Sequence, residues 1–134
     1  MKKKRHRNPP KTLKNKLWKL CVLLTRKRHG NDCYTCSAKG LCGRNLHTGH
    51  FIPKGSCGAY LKYDLRNLRP QCFRCNIHLG GNGAEFMRKM ILTEGQEFVD
   101  KIFRDKNLVI KEREYYPFLL EKYNLMLKEG KCLE

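Results

Sequence analysis

The chain has 134 residues, a formal net charge of +17, 31% charged residues and eight cysteines. That length suits one domain with a basic extension and a core small enough to benefit from a metal; no apolar run approaches the roughly 18 residues of a membrane span, and no secretion signal follows the basic start, which argues for a soluble, cytoplasmic protein with no membrane partner. The positive excess lies in residues 1–84, which hold 19 Lys and Arg against Asp32 and Asp64, whereas residues 85–134 balance ten against ten, so a polyanion, nucleic acid first, is the expected partner of the amino-terminal part.

Residues 1–11 combine like charges with two prolines and almost no apolar residue, which predicts a disordered basic arm whose Lys2, Lys3, Lys4, Arg5 and Arg7 contact phosphates. Residues 12–134 then form a single domain. Over residues 12–28 the apolar Leu13, Leu17, Leu20, Cys21 and Leu24 recur at three- and four-residue spacing, with Thr12 as N-cap after Pro9-Pro10. The pattern is that of an amphipathic helix whose apolar face is widened by Trp18, Val22 and Leu23. Lys14, Lys16, Lys19, Arg26, Lys27 and Arg28 are left outside, all but Lys16 counted as DNA contacts.

After the turn residues His29-Gly30-Asn31-Asp32 come two CxxC pairs, Cys33/Cys36 and Cys72/Cys75, enclosing a loop too long for a minimal finger. Two such pairs can close a tetrahedral site at roughly 2.3 Å per Zn–S bond, so residues 33–82 are expected to fold round a structural zinc, with Cys21, Cys42, Cys57 and Cys132 needing no partner. Within the loop, residues 46–53 fit a strand, 55–58 a glycine-bearing bend and 60–63 its returning partner; residues 73–79 fit a short helix halted by Gly80-Gly81. Lys54, Arg69 and Arg74 add further basic contacts for DNA. Residues 84–134 read as scaffold: one amphipathic helix over 84–104, loosened near Gly95, and another over about 117–128.

Gly49-His50-Phe51-Ile52-Pro53, followed by Asn67-Leu68-Arg69-Pro70-Gln71-Cys72-Phe73-Arg74-Cys75-Asn76, resembles the HNH endonucleases with zinc-binding cysteine pairs, and more narrowly the NinG/Rap recombination nucleases of lambdoid phages. The resemblance covers about residues 17–103. It implies an α+β fold: a small treble-clef zinc module carrying a ββα-metal hairpin and helix, flanked by amphipathic helices. It also implies a metal-dependent DNA endonuclease acting on branched recombination intermediates such as Holliday junctions and D-loops, in host-cell cytoplasm. By this carry-over His50 is the general base, suited by an ordinary pKa near 6.5, and Asn67 the residue that ties the hairpin and aims it.

Asn76 falls on a ligand position for the catalytic ion. Many such sites place an acidic or imidazole ligand just before the base, where this chain has Gly49; His47 lies on the same side of a strand as position 49 and is the leading substitute. His78 ranks next, although on a regular helix it faces about 200° round from Asn76, and Asn82 last. Without carboxylates the ion is Mg2+ or Mn2+, weakly held, and imidazole also admits Ni2+ or Zn2+. A homodimer would make cutting both strands of a junction easier. The competing readings are a non-catalytic zinc-stabilised nucleic-acid-binding module and a protein-binding treble clef; the pairing of His50 with Asn67 favours the nuclease.

Overall fold

The computed structural model describes residues 9–130; Lys2, Lys3, Lys4, Arg5 and Arg7 of the expected arm, and Cys132, lie outside the described residues. Helix α1 spans Lys11–His29. It opens on Pro10, not on the expected Thr12, because the carbonyl of Pro10 already accepts from the N–H groups of Leu13 (3.0 Å) and Lys14 (3.3 Å). Arg26, Lys27, Arg28 and His29 occupy its last turn, where positive charge suits the helix dipole. Its buried stripe of Leu17, Leu20, Cys21 and Leu24 packs on Tyr116, Leu119 and Tyr123 of α5 (Glu112–Glu129). Each fully covered leucine contributes about 2 kcal/mol. Trp18 and Val22 are half-buried at the edge of that stripe, but Leu23 faces solvent.

The sheet has two strands, and its pairing differs from the expectation. Strand β1 (His47–His50) pairs antiparallel with β2 (Leu68–Gln71), setting His47 against Gln71 and His50 against Leu68. The segment expected to return as a strand, 60–63, lies mostly within a helix, α2 (Gly58–Lys62). The core explains this: Cys57 and Leu61, four residues apart, are both fully buried beside Phe51, Ile52 and Phe86, and helical spacing puts them on one side. The ladder runs one bond past His50, from the N–H of Phe51 to the carbonyl of Asn67 (2.8 Å), and ends there because the Asn67 N–H turns back to the carbonyl of Asp64 (3.0 Å).

The cysteine loop ends in a π-helical turn (Arg74–His78) where a short regular helix was expected, and the chain then turns through Gly80 and Gly81. The helix expected over 84–104 is two helices, α3 (Gly83–Glu94) and α4 (Gln96–Asp105). Gly95, at φ +94, breaks them, a conformation that L side chains rarely adopt. α5 begins five residues before the expected Pro117, which is tolerated on an exposed face where the carbonyl it leaves unbonded can meet water. Phe86, Met90, Val99 and Ile102 close a second core over Phe51 and Ile52. The whole is helix-rich α+β with one small antiparallel sheet. Among the described residues no helix is long and apolar enough to cross a membrane.

Candidate functional site

Two CxxC turns, thirty-six residues apart from Cys36 to Cys72, meet at one point: the sulfurs of Cys33, Cys36, Cys72 and Cys75 lie within 4.8 Å of one another. The Cys36 and Cys72 sulfurs are 3.7 Å apart, and a tetrahedral site with zinc–sulfur bonds of 2.3 Å has edges of about 3.8 Å. Each turn also points N–H groups at sulfur, from Cys36 to Cys33 (3.5 Å) and from Cys75 to Cys72 (3.4 Å), and the Asn82 amide donates to Cys75 (3.7 Å). Donors aimed at sulfur stabilise thiolates, so the four fit a metal ion such as zinc. Asn82, expected as a last-ranked ligand of a second ion, is thus turned to this cluster. Cys21, Cys42 and Cys57 are free thiols.

A cleft of about 520 Å³ opens between α1, β1 and the turn that carries Asn76 and runs on to Gly80 and Gly81. His50 lines it, and Nε2 of His50 bonds the carbonyl of Lys62 at 2.9 Å. A carbonyl only accepts, so Nε2 carries the hydrogen and the lone pair of the neutral ring resides on Nδ1. Burial is the main cause that lowers the pKa of His50 from 6.5, joined by the charges of Lys54 and Lys62 and opposed by the bond to Lys62. The imidazole is therefore neutral at pH 7 and free to take a proton.

Asn67, fully buried, holds the strand that carries His50: Oδ1 accepts from the N–H of Ile52 (2.8 Å) and Nδ2 donates to its carbonyl (3.1 Å). The wall of the cleft carries Lys14, Lys54 and Lys62 and no carboxylate. Burial, then the charges of Lys54 and Lys14, hold the Lys62 ammonium below the usual lysine range. The Oγ1 of Thr48, on the same strand face as His50, is buried without a hydrogen-bond partner in the described structure. A cationic pocket with an unsatisfied hydroxyl suits an anionic, hydrogen-bonding ligand.

Asn76 lines this cleft and donates to Nδ1 of His47 at 3.0 Å, while Nε2 of His47 bonds the carbonyl of Arg44 at 2.9 Å. Turning the Asn76 amide over would set two acceptors at that separation, about the edge of an octahedron with 2.1 Å bonds. His47 and Asn76 are thus brought together, bonded to each other as they stand. His78 stays apart from the cleft wall, exposed and edge-on to Phe73 at 5.0 Å between ring centroids. Gly49 leaves no room for a ligand while Gln71 keeps its place: a Cβ there would stand 1.8 Å from Oε1 of Gln71. Gln71 is held by Nε2 donating to Thr35 Oγ1 (3.1 Å) and to the carbonyl of Gly81 (2.9 Å).

Of the expected DNA contacts, Lys14 and Lys54 reach the cleft, and Lys19, Arg26, Lys27, Arg28 and Arg74 are exposed. Arg69 is a correction. It is 2% exposed, donates through NH1 to the carbonyls of Leu65, Arg66 and Leu68, and pairs with Glu94 at 3.3 Å. It lies along a second cleft, of about 580 Å³, bounded by α4 and α5. Sequence reasoning missed Lys62, Thr48, Gln71 and Trp18, all placed by contacts between distant segments.

The family model of the Bacteriophage Lambda NinG protein matches residues 1–132. The protein ninG of Escherichia phage 933W is 32% identical over 75 residues, 56% of this chain and 36% of that protein, and Enterobacteria phage VT2-Sa has a protein ninG with the same figures. That of Enterobacteria phage H19B is 30% identical over 81 residues, 60% of this chain and 40% of that protein. The matched stretch thus spans well under half the length of these curated relatives. No solved structure matches the chain.

Proposed function

This chain belongs to the Bacteriophage Lambda NinG family, and from that premise we propose that it is a metal-dependent DNA endonuclease of the HNH type, with branched recombination intermediates as substrates. The supporting observation is a neutral His50 in a cation-lined cleft, its Nε2 held by the Lys62 carbonyl and its strand clamped by Asn67. In this reading β1, β2 and the turn after Cys72 are the ββα unit of a treble clef. The four cysteines hold a structural zinc.

Each residue then has a task. Nδ1 of His50 takes the proton of the attacking water. Lys14, Lys54 and Lys62 hold the phosphate oxygens and offset the charge that grows on them. His47 Nδ1 and Asn76 Oδ1 would hold the catalytic ion, Mg2+ or Mn2+, or Ni2+ or Zn2+ given the imidazole. When bound, the ion polarises the phosphate and stabilises the leaving oxygen. Arg26, Lys27 and Arg74, exposed, extend the contact to the DNA backbone.

One observation favours a second reading, a non-catalytic zinc-stabilised module that binds nucleic acid: the cleft has no carboxylate to hold a hard ion tightly. Cleavage assays on linear duplex, single strand, fork and four-way junction, with EDTA, Mg2+ or Mn2+, separate the two. The nuclease reading expects ion-dependent cutting that falls by at least about 100-fold in His50→Ala, with zinc content and DNA affinity unchanged. Failure of the wild type to cut any of these forms leaves the binding module.

A further inference from the structure

We propose that Trp18 is a positioning residue for His50, an inference that rests on the nuclease reading for its kinetic consequence and on geometry alone for the contact. Trp18 enters the cleft from α1, outside the cysteine module, and its ring stacks on the imidazole with centroids 5.4 Å apart and planes 8° from parallel. The Lys62 carbonyl fixes one edge of the imidazole but leaves the ring free to swing about that bond. A flat partner against its face removes that freedom. Edge and face together decide where Nδ1 points.

The indole is itself held rigidly. Leu17, its neighbour in α1, is fully buried, as is Cys21, and both pack in the core shared with α5. The plane of the base is thereby set by a helix anchored across the molecule and not by the loop that follows β1. Sites supported on such elements keep their geometry better than sites on loops, and a partner that orients a working imidazole typically accounts for about 10- to 100-fold in function.

The charged and titratable groups facing the stacked pair are Lys14 from α1, Lys54 from the loop after β1, and Lys62 with Tyr63 at the end of α2. None is acidic. Nothing in the cleft wall therefore favours the imidazolium except the bond to the Lys62 carbonyl, and the indole keeps water from one face of the ring. Burial is the leading cause of the lowered His50 pKa, so removal of the indole should let it rise toward 6.5.

The chain contains a single tryptophan, which makes the contact directly observable. A protonated imidazole quenches the emission of a stacked indole and a neutral one does so far less. In the full chain, Trp18 emission followed from about pH 8 to about pH 5 is expected to fall in a step centred below 6.5. His50→Asn is expected to abolish the step. In cleavage of a four-way junction, Trp18→Leu is expected to lower kcat by about tenfold or more, with KM within about twofold and the acid limb of the pH profile moved up toward 6.5. Trp18→Phe, which keeps a flat partner and serves if the leucine variant does not fold, is expected to recover most of kcat. An emission titration that is unchanged in His50→Asn overturns the proposal, as does a folded Trp18→Leu with the kcat and acid limb of the wild type. If the wild type cuts no DNA, the nuclease reading falls separately and the emission titration alone decides the contact.

Discussion

Two clefts of similar size open on this molecule, both lined by basic residues, and they differ in the acids that stand beside them. The cleft beside His50 has three lysines in its wall and no carboxylate. The wall of the other holds Asp64, Glu94 and Asp105, and each acid is taken up by an arginine: Arg66 bonds Asp64 at 2.7 Å and Asp105 at 2.8 Å, and Arg69 bonds Glu94 at 3.3 Å. Hydrogen bonding to Asp64 is the first cause that holds the Arg66 guanidinium above its usual range. Volume does not distinguish the two. Of the three lysines only Lys14 has an acid against it, Glu112 of α5 at 3.8 Å, while the second wall also carries Arg28, Lys101 and Lys122. The ion pairs of the second cleft tie the turn before β2 to α3 and α4 and mark a joint between elements, whereas Lys54 and Lys62, with no acid in their wall, mark a place for an outside partner.

The largest effect that could break this comparison is loss of the cysteine cluster, because β2, which carries Arg69, runs directly into Cys72 and its partner β1 carries His50. Cys75→Ala is expected to release zinc and to unfold the module, taking both clefts with it, since metal binding and folding are coupled. Metal analysis with thermal unfolding checks it; a variant without metal that melts like the wild type would refute the dependence. Next in size, Arg69→Met is expected to destabilise the protein by about 3 kcal/mol, by leaving buried carbonyls and Glu94 without their donor. Denaturant unfolding measures this. Affinity for DNA should stay as in the wild type, which separates the joint from the binding face.

A smaller effect sharpens the contrast in charge. Lys54→Ala is expected to flatten the slope of log K against log salt for duplex DNA by about 0.9, the release of roughly one counterion, while Lys101→Ala at the rim of the other cleft leaves it unchanged. Equal slopes for the two variants would erase the distinction. The smallest expected effect is on pH. Burial, then the charges of Arg69 and Arg28, lower the pKa of His29 to about 4. The unfolded chain takes up a proton at about 6.5 while the folded one does not, so stability is full above about 6.5 and declines as pH falls toward 4. His29→Gln should flatten that decline between pH 6.5 and 4, read from melting temperatures across the range.

What could be read from the sequence follows the range of each interaction. The CxxC pairs announce a shared ligand cluster because the spacing is local, and α1 is legible because its stripe of Leu17, Leu20, Cys21 and Leu24 repeats within the helix. The strand partner was misplaced for a physical reason. Tyr60-Leu61-Lys62-Tyr63 has strand-like composition, whereas the true partner contains Pro70, which ordinarily counts against a strand. Pro70 is accommodated because the sheet has two strands only, and its carbonyl accepts from the Tyr34 N–H at 2.8 Å. Arg69 looked like a DNA contact because arginine is usually exposed; its acid, Glu94, comes from α3. The stacking of Trp18 on His50 joins segments with no local signal between them.

The contact between Gly49 and Gln71 constrains how this sequence can drift. A side chain at position 49 would collide with Oε1 of Gln71, which is itself wired through Thr35 Oγ1 toward the Cys33 sulfur at 3.4 Å. Position 49 can therefore gain a side chain only if Gln71 moves or changes first. A carboxylate could be installed beside the base only in a background such as Gln71→Ala, and that background would loosen the hydrogen bonds that reach the cysteine cluster. Single-site saturation at position 49 should yield almost no functional variants, while a paired library over 49 and 71 should recover some. The order of change is thus fixed, and exploration of other ligands for the catalytic ion begins with Gln71, the diagonal neighbour of the glycine on β2.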